Sequence, residues 1–332
     1  MKQNSDILVI GEISDGKLMS ITSELLGCGR QLADQLGEEL ILLLLGEKLN
    51  TCSKHGIHMG ADKVLAVEDT NLAEYRTDTY LQVVERVYNS YLPRIILMGQ
   101  TSSGRDLAPI LAFRLKTVAE MDCIDLSIDS ETKLLLQTRP VYGGSARAVF
   151  TSECLPQIAT IRSKTMSPAK ENKGRKGDVI QLQSGLIKDK IRTRIIEKKK
   201  QKTEGIRLED AAVVVGGGRG IGGPEGFKEL EKLAKILKGA VGASRPPCDS
   251  EWVPNDRLIG LTGKIIVPDL YIAVAVSGAS QHMSGCSTAK NIIAINKDEE
   301  ANIFREARYG VIGDWKKILP AFTEKLKELF DS

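Results

Sequence analysis

Apolar residues along the chain gather into short runs separated by stretches of helical spacing. Residues 6–10, 40–45, 61–67 and 94–98 hold runs such as Leu40-Ile41-Leu42-Leu43-Leu44-Leu45, the pattern of strands buried on both faces. Between them, residues 20–36 place Leu25, Leu32, Ala33 and Leu36 at helical spacing and stop at Gly37. Residues 80–91 and 105–115 read as two further helices. Strands alternating with helices predict an α/β fold, a mostly parallel sheet with helices on both faces.

The pattern changes after Leu115. Short runs at 134–137, 147–150 and 157–161 are split by Pro140, Gly143-Gly144 and Pro156, and are expected to extend the sheet with antiparallel pairs. Residues 167–178 are polar and read as an exposed loop. Residues 186–196 carry Ile187, Ile191 and Ile195 on one face of an expected half-buried strand. The charged stretch 197–205 reads as a linker, and its lysines as a solvated face. A second α/β pattern then starts. Its strand is 211–215, its loop 216–226 and its helix 227–237. Further strands are expected near Ala240, near Ile265, at 271–276, at 291–295 and near Val311, and an amphipathic helix at 315–329. No period of 20–50 residues recurs. Two domains follow, an N-terminal α/β domain over 1–203 and a doubly wound domain over 204–332, as a length of 332 residues suggests.

Composition narrows the function. Apolar content of 42% and charged content of 27% are those of an ordinary soluble protein. A net charge of +3 with 5% aromatics gives no basis for nucleic-acid binding. The aliphatic run 40–45 is too short to span a bilayer, and the N-terminus has no signal or transit pattern, so the expectation is a cytoplasmic protein with no membrane insertion. Six cysteines without a Cys-x-x-Cys pair suggest reduced thiols.

The chemistry concentrates after residue 216. Gly218-Arg219-Gly220-Ile221-Gly222-Gly223 fits G-x-G-x-x-G between a strand and a helix. It can receive a phosphate or simply make a tight turn. No carboxylate follows near Val241-Gly242-Ala243-Ser244-Arg245, which disfavours a standard NAD site. Arg245, beside Pro246-Pro247 on stiff backbone, suits an electron-rich ring or a phosphate, or a surface ion pair. The loops Gly260-Leu261-Thr262-Gly263 and Ser277-Gly278-Ala279-Ser280-Gln281-His282 each follow a strand-like run. Thr262 can bond a ring nitrogen and His282 can donate to a carbonyl, although a lone histidine is more often structural. Asn296 and Gly313-Asp314-Trp315 end the last two strands, with Asp314 also suited to cap the final helix. Cys52, His55 and His58 have metal-like spacing but would face different sides of a helix, so no metal is expected. Residues 100–106 read as a helix cap, and no catalytic triad can be assembled from the three histidines.

The uninterrupted motifs Val241-Gly242-Ala243-Ser244-Arg245-Pro246-Pro247-Cys248 and Ser277-Gly278-Ala279-Ser280-Gln281-His282 resemble the alpha subunit of the electron transfer flavoproteins. The likeness is close over the last third of the chain and looser over the first half. It implies FAD bound by the C-terminal domain, with Arg245 over the isoalloxazine, Thr262 at its N5 and His282 on its O2 side. It implies Ser244 and the stretch Ile259, Gly260, Leu261 and Thr262 as further contacts, with Ser277, Gly278, Ala279, Ser280 and Gln281 wrapping the cofactor. Arg219, Asn296, Asp314 and Trp315 would line its adenosine end. It also implies a beta subunit as partner in a heterodimer and an acyl-CoA dehydrogenase as redox partner. In one branch of the family it implies a second FAD in the beta subunit, with NADH-dependent electron bifurcation. Cys248 and Cys286 depart from that pattern and read as packing behind the site. The alternative is a structural ADP-type site, as in thiamine-diphosphate enzymes, although no Gly-Asp-Gly followed by Asn-Asn occurs.

Overall fold

The structure, a computed structural model, describes residues 4–144, 146–198 and 206–331. The chain divides into two compact units, Met1–Val141 with Ala146–Lys198, and Tyr142–Ser145 with Lys199–Ser332. The linker expected at 197–205 lies, from Lys199 onward, outside the described residues.

The first unit opens with β1 (Ile7–Ile10), the short ribbon β2 (Ile13–Ser14) and β3 (Lys17–Leu18), and α1 (Ser20–Leu36). There follow β4 (Leu40–Gly46), α2 (Asn50–His58), β5 (Lys63–Glu68), α3 (Thr77–Tyr91), β6 (Ile95–Gly99) and α4 (Ser102–Leu115). Then come β7 (Ala119–Cys123), β8 (Asp125–Ile128), β9 (Leu135–Val141), β10 (Ala146–Phe150), β11 (Gln157–Ile161) and β12 (Asp178–Leu182). Seven strands form one parallel sheet in the order β12-β5-β4-β1-β6-β11-β7. The apolar runs of β1, β4 and β6 are buried on both faces, as helices on either side require. Leu25, Leu26 and Leu32 of α1 pack on one face, and Val83, Val84, Leu107 and Leu111 of α3 and α4 on the other.

Two expectations for this unit are corrected. Residues 157–161 join the parallel sheet, whereas β8, β9 and β10 make a separate antiparallel sheet. Residues 186–196 form no strand. Ile187 and Ile195 are 50% and 48% exposed, and polar bonds to α3 anchor the segment, from Ile187 N–H to Gln82 and from Arg192 N–H to Asp78. The apolar periodicity there has no partner strand to satisfy it. The N-cap expected within 100–106 is Thr101, whose hydroxyl accepts the Gly104 N–H.

The second unit runs β13 (Val213–Gly217), α5 (Pro224–Ile236), β14 (Ala240–Ala243), α6 (Arg245–Asp249), β15 (Leu270–Val274) and α7 (Ser280–Met283). It closes with β16 (Ile292–Asn296), α8 (Ile303–Glu306), β17 (Tyr309–Ile312) and α9 (Trp315–Asp331). All five strands are parallel, in the order β14-β13-β15-β16-β17. The chain leaves β13 towards β14 and returns to β15 on the other side, so a topological switch point lies between β13 and β15. Ligands of doubly wound folds bind at such points. The strand expected near Ile265 is absent. A single bridge, Ile259 to Lys264, stands there, and Ile266 is buried instead.

Candidate functional site

Four consecutive strand ends of the second unit border one cavity of ≈ 690 Å³. Across the sheet these are Ser244-Arg245 after β14, Arg219-Gly220 after β13, Ala275-Val276-Ser277 after β15, and Asn296-Lys297-Asp298 at β16. The turn 258–263, with Ala279, Gln281 and His282, completes the wall. Three strand spacings of about 4.8 Å make this opening roughly 14 Å long, room for an extended ligand lying across the sheet.

Close backbone packing shapes the floor. A Cβ on Gly218 would lie 2.0 Å from the Ala275 carbonyl oxygen, so only glycine lets β13 end against β15. Gly260 has φ +142, and a Cβ there would lie 2.7 Å from the Gln281 carbonyl oxygen. Ala275 itself sits at φ 54, a left-handed conformation that an alanine adopts only under strain. It marks where β15 turns out of the sheet beside the cavity.

The glycine motif does not deliver a helix N-terminus to this cavity. After Gly218 the chain makes one 3₁₀ turn, Arg219–Ile221, and α5 begins only at Pro224. Gly222 and Gly223 border a second hollow with Glu225, Glu229 and Trp315. Contact with a ligand therefore falls to Arg219 and Gly220. Trp315 stands behind them, its indole N–H donating to the Gly220 carbonyl at 3.1 Å. Asp314 accepts the Lys316 N–H at the start of α9. Neither Asp314 nor Trp315 lines the cavity, nor do Gly278, which packs on Ile303, and Ser280, which bonds Gln281. The remaining residues of the expected set do line it.

Two residues behave differently from the roles the resemblance implies. His282 is buried, and both its ring nitrogens have protein partners: Nδ1 lies 3.1 Å from the Ile259 carbonyl and Nε2 lies 2.8 Å from the Tyr271 hydroxyl. A carbonyl only accepts, so Nδ1 carries the proton and Tyr271 donates to Nε2. Burial pushes the His282 pKa down to about 4, partly opposed by the bond to Ile259. In this arrangement His282 is a neutral strut joining β15, α7 and the 258–263 turn, and has no donor left for a ring carbonyl. Asn296 is likewise engaged, donating to the Val276 carbonyl at 2.9 Å and accepting the Asp298 N–H. It keeps one amide hydrogen for a ligand.

Arg245 and Thr262 meet across the cavity mouth, the guanidinium donating to the threonine hydroxyl at 3.3 Å. Ser244 occupies the N-cap position of α6 without a side-chain cap bond. Lys297, an exposed cation in the polar strand end that begins at Asn296, also lines the cavity. Sequence reasoning missed Tyr271, whose phenol is buried beneath the site. Cys286 donates to the His282 carbonyl, and Cys248 lies on the buried side of α6. Outside this site, Cys52 of α2 donates to the Gly16 carbonyl, and His58 lies 3.9 Å from Glu171.

A cavity along four parallel strand ends, with cations at its length and an apolar floor of Ile259, Ala275 and Val276, defines a dinucleotide-binding α/β domain. Comparison with known proteins agrees. The electron transfer flavoprotein domain matches residues 7–185, and the electron transfer flavoprotein FAD-binding domain matches residues 207–287. The electron transfer flavoprotein subunit alpha of Thermoanaerobacterium thermosaccharolyticum is 42% identical over 99% of this chain and 100% of its own length. That of Bacillus subtilis is 40% identical over 97% of this chain and 98% of its own. Protein FixB of Clostridium saccharobutylicum is 38% identical over 98% and 97%. The chain belongs to the electron transfer flavoprotein alpha-subunit family, and its cofactor is FAD. Among the described residues no helix is long and apolar enough to cross a membrane.

Proposed function

We propose that this chain is the FAD-carrying half of a heterodimer with a beta subunit, relaying electrons from an acyl-CoA dehydrogenase-type donor to an acceptor. The observation that supports this reading best is the order of side chains along the cavity. Arg245 and Thr262 stand at the β14 end, Arg219 in the middle, and Asn296 with Lys297 at the β16 end. A flat ring, a pyrophosphate and a ribose need these groups in this order. Bound FAD supplies the capacity to take up and give back electrons. The chain's own residues do the rest. Arg219 and Lys297 neutralise phosphate charge, and Asn296 offers its remaining amide hydrogen to the ribose or phosphate. Ile259 and Val276 keep water from the floor. Arg245 presents a flat cation to a ring that gains negative charge on reduction. The His282 strut holds the turn carrying Thr262 against α7.

The test is anaerobic mixing of the purified heterodimer with an acyl-CoA dehydrogenase and its acyl-CoA. The visible flavin absorbance of the heterodimer is expected to bleach within the mixing series. A complex that dithionite reduces but the dehydrogenase does not would overturn the proposed donor. Counting flavins per heterodimer decides the remaining branch. One flavin marks a simple carrier, whereas two, with reduction by NADH, mark the bifurcating kind.

A further inference from the structure

Helix α6 is a single turn, with Arg245 as its first residue and Asp249 as its last. Residues four apart share a helix face, and here they bond: Arg245 Nε lies 3.3 Å from Asp249 Oδ2. The other edge of the guanidinium, through Nη1, reaches Thr262 Oγ1 at 3.3 Å. The guanidinium is thus held by its edges between α6 and the 258–263 turn. The side chain remains 64% exposed. Pro246 and Pro247 stiffen the first turn of that helix, so the two ends of the bridge keep their separation. Asp249 itself does not line the cavity.

An exposed pair of this spacing adds little to folding stability. Its consequence falls on Arg245. Two bonds at separate nitrogens fix the plane of the guanidinium, and its three remaining N–H groups, on Nη1 and Nη2, stay available to a ligand beside that plane. We propose that Asp249 is a positioning residue. It turns the face of Arg245 towards the flavin ring, and its negative charge offsets part of the cation's field there. This deepens the FAD reading of the cavity and rests on it. Asp249 therefore has two separable effects on the bound flavin. Its charge disfavours the reduced, more negative ring, while its grip on Nε lets Arg245 favour that state.

Asparagine and alanine separate the two. Asp249→Asn keeps an acceptor for Nε and removes the charge, and Asp249→Ala removes both. The experiment is a potentiometric titration of the FAD-loaded heterodimer carrying each variant, alone and combined with Arg245→Ala. Asp249→Asn is expected to shift the equilibrium towards the reduced flavin by threefold to tenfold, where tenfold is about 59 mV for one electron. Asp249→Ala is expected to fall at least threefold below Asp249→Asn when Arg245 is present, and to coincide with it when Arg245 is alanine. A merely structural Asp249 would move neither comparison. FAD affinity and the unfolding midpoint, measured on the same samples, are expected to stay within twofold and within 1 °C or so of the parent, which shows that the variants are folded. Equal potentials for the asparagine and alanine variants beside Arg245 would overturn the positioning role while leaving the FAD site intact. An unchanged potential in Arg245→Ala alone would overturn both this inference and the placement of the ring at Arg245.

Discussion

The two units share a plan and differ at their strand ends. Each is a parallel sheet with a switch point, between β1 and β6 in the first and between β13 and β15 in the second. In the first unit the polar residues at or just past the strand ends bond each other. Thr101 donates to Glu12, Thr160 to Gln100, and Ser184 to Asp69. Burial raises the Glu12 pKa, against the Thr101 bond that lowers it, as befits a carboxyl closed into the protein. In the second unit the corresponding positions hold Arg219, Gly220, Ser244, Arg245 and Ser277, small or cationic residues that line a cavity. Topology offers a site in both units. The residues just beyond the strands decide whether it is filled from within or left for a ligand.

Acid should act in opposite directions on two buried groups, one in each unit. His282 has its folded pKa lowered from 6.5 to about 4 by burial. The folded state thus resists a proton that the unfolded state accepts, so its contribution is complete above 6.5 and is lost as pH falls towards 4. At 1.36 kcal/mol per unit this amounts to about 3 kcal/mol. Glu24 in α1 is the converse. Burial raises it from 4.5 to about 7, against backbone N–H bonds from residues 164–166, so its contribution is present below 4.5 and lost as pH rises to 7. Both tryptophans, Trp252 and Trp315, belong to the second unit. Urea titrations followed by indole fluorescence therefore report that unit alone. Its midpoint is expected to drop between pH 7 and pH 4.5, with the drop abolished in His282→Asn. An equal drop in that variant would remove His282 as the cause.

A matched pair of glycines sharpens the contrast. A Cβ on Gly104 would lie 1.9 Å from the Gly99 carbonyl oxygen, and one on Gly218 2.0 Å from that of Ala275. Each change to alanine is expected to cost about 2–3 kcal/mol through backbone overpacking. Only Gly218→Ala should also weaken FAD binding, measured by flavin fluorescence on titrating the apoprotein. Comparable FAD affinity in the two variants would count against Gly218 as a support of the cavity floor. A smaller effect is expected of Trp315→Phe, which keeps the ring packing and loses the bond to Gly220, weakening FAD by about 1 kcal/mol. No loss of affinity there would free Trp315 from the Arg219 turn. The smallest change is Ala275→Gly, which relieves the left-handed alanine and should raise the unfolding free energy by up to about 1 kcal/mol, and with it the fluorescence midpoint. A lowered midpoint would show that Ala275 is held without strain.

Much of this was readable in the chain because it is written locally. Unbroken apolar runs gave β1, β4 and β6, and helical spacing gave α1 over Ser20–Leu36. Residues 218–219, 244–245 and 277–282 stand where strands end, and 259–262 in the turn beside them, so glycine and hydroxyl clusters exposed most of the cavity wall. What stayed hidden depends on distance. Tyr271 and His282 meet only because β15 and α7 pack together, and nothing in either segment announces the other. Trp315 sits behind Gly220 across a long sequence separation, so its polar strand-end position suggested direct contact where the fold makes it a support. β12 was missed because its short, largely exposed sequence lies at the sheet edge, where only one neighbour, β5, defines it. The strand expected at 186–196 failed for the opposite reason, an apolar rhythm with no neighbour to pair.

The most direct test of the site compares Arg219→Ala with Arg245→Ala in the FAD-loaded heterodimer, measuring FAD affinity and flavin potential on the same preparations. Arg219→Ala is predicted to weaken FAD by about 1.5–3 kcal/mol, the loss of a charged hydrogen bond, and to leave the potential in place. Arg245→Ala is predicted to keep FAD bound and to lower the one-electron potential by about 60 mV, a tenfold change in equilibrium, with Arg245→Lys falling between. A potential that follows Arg219, or affinity lost equally in both variants, would contradict a ring at the β14 end and phosphates at the centre of the cavity.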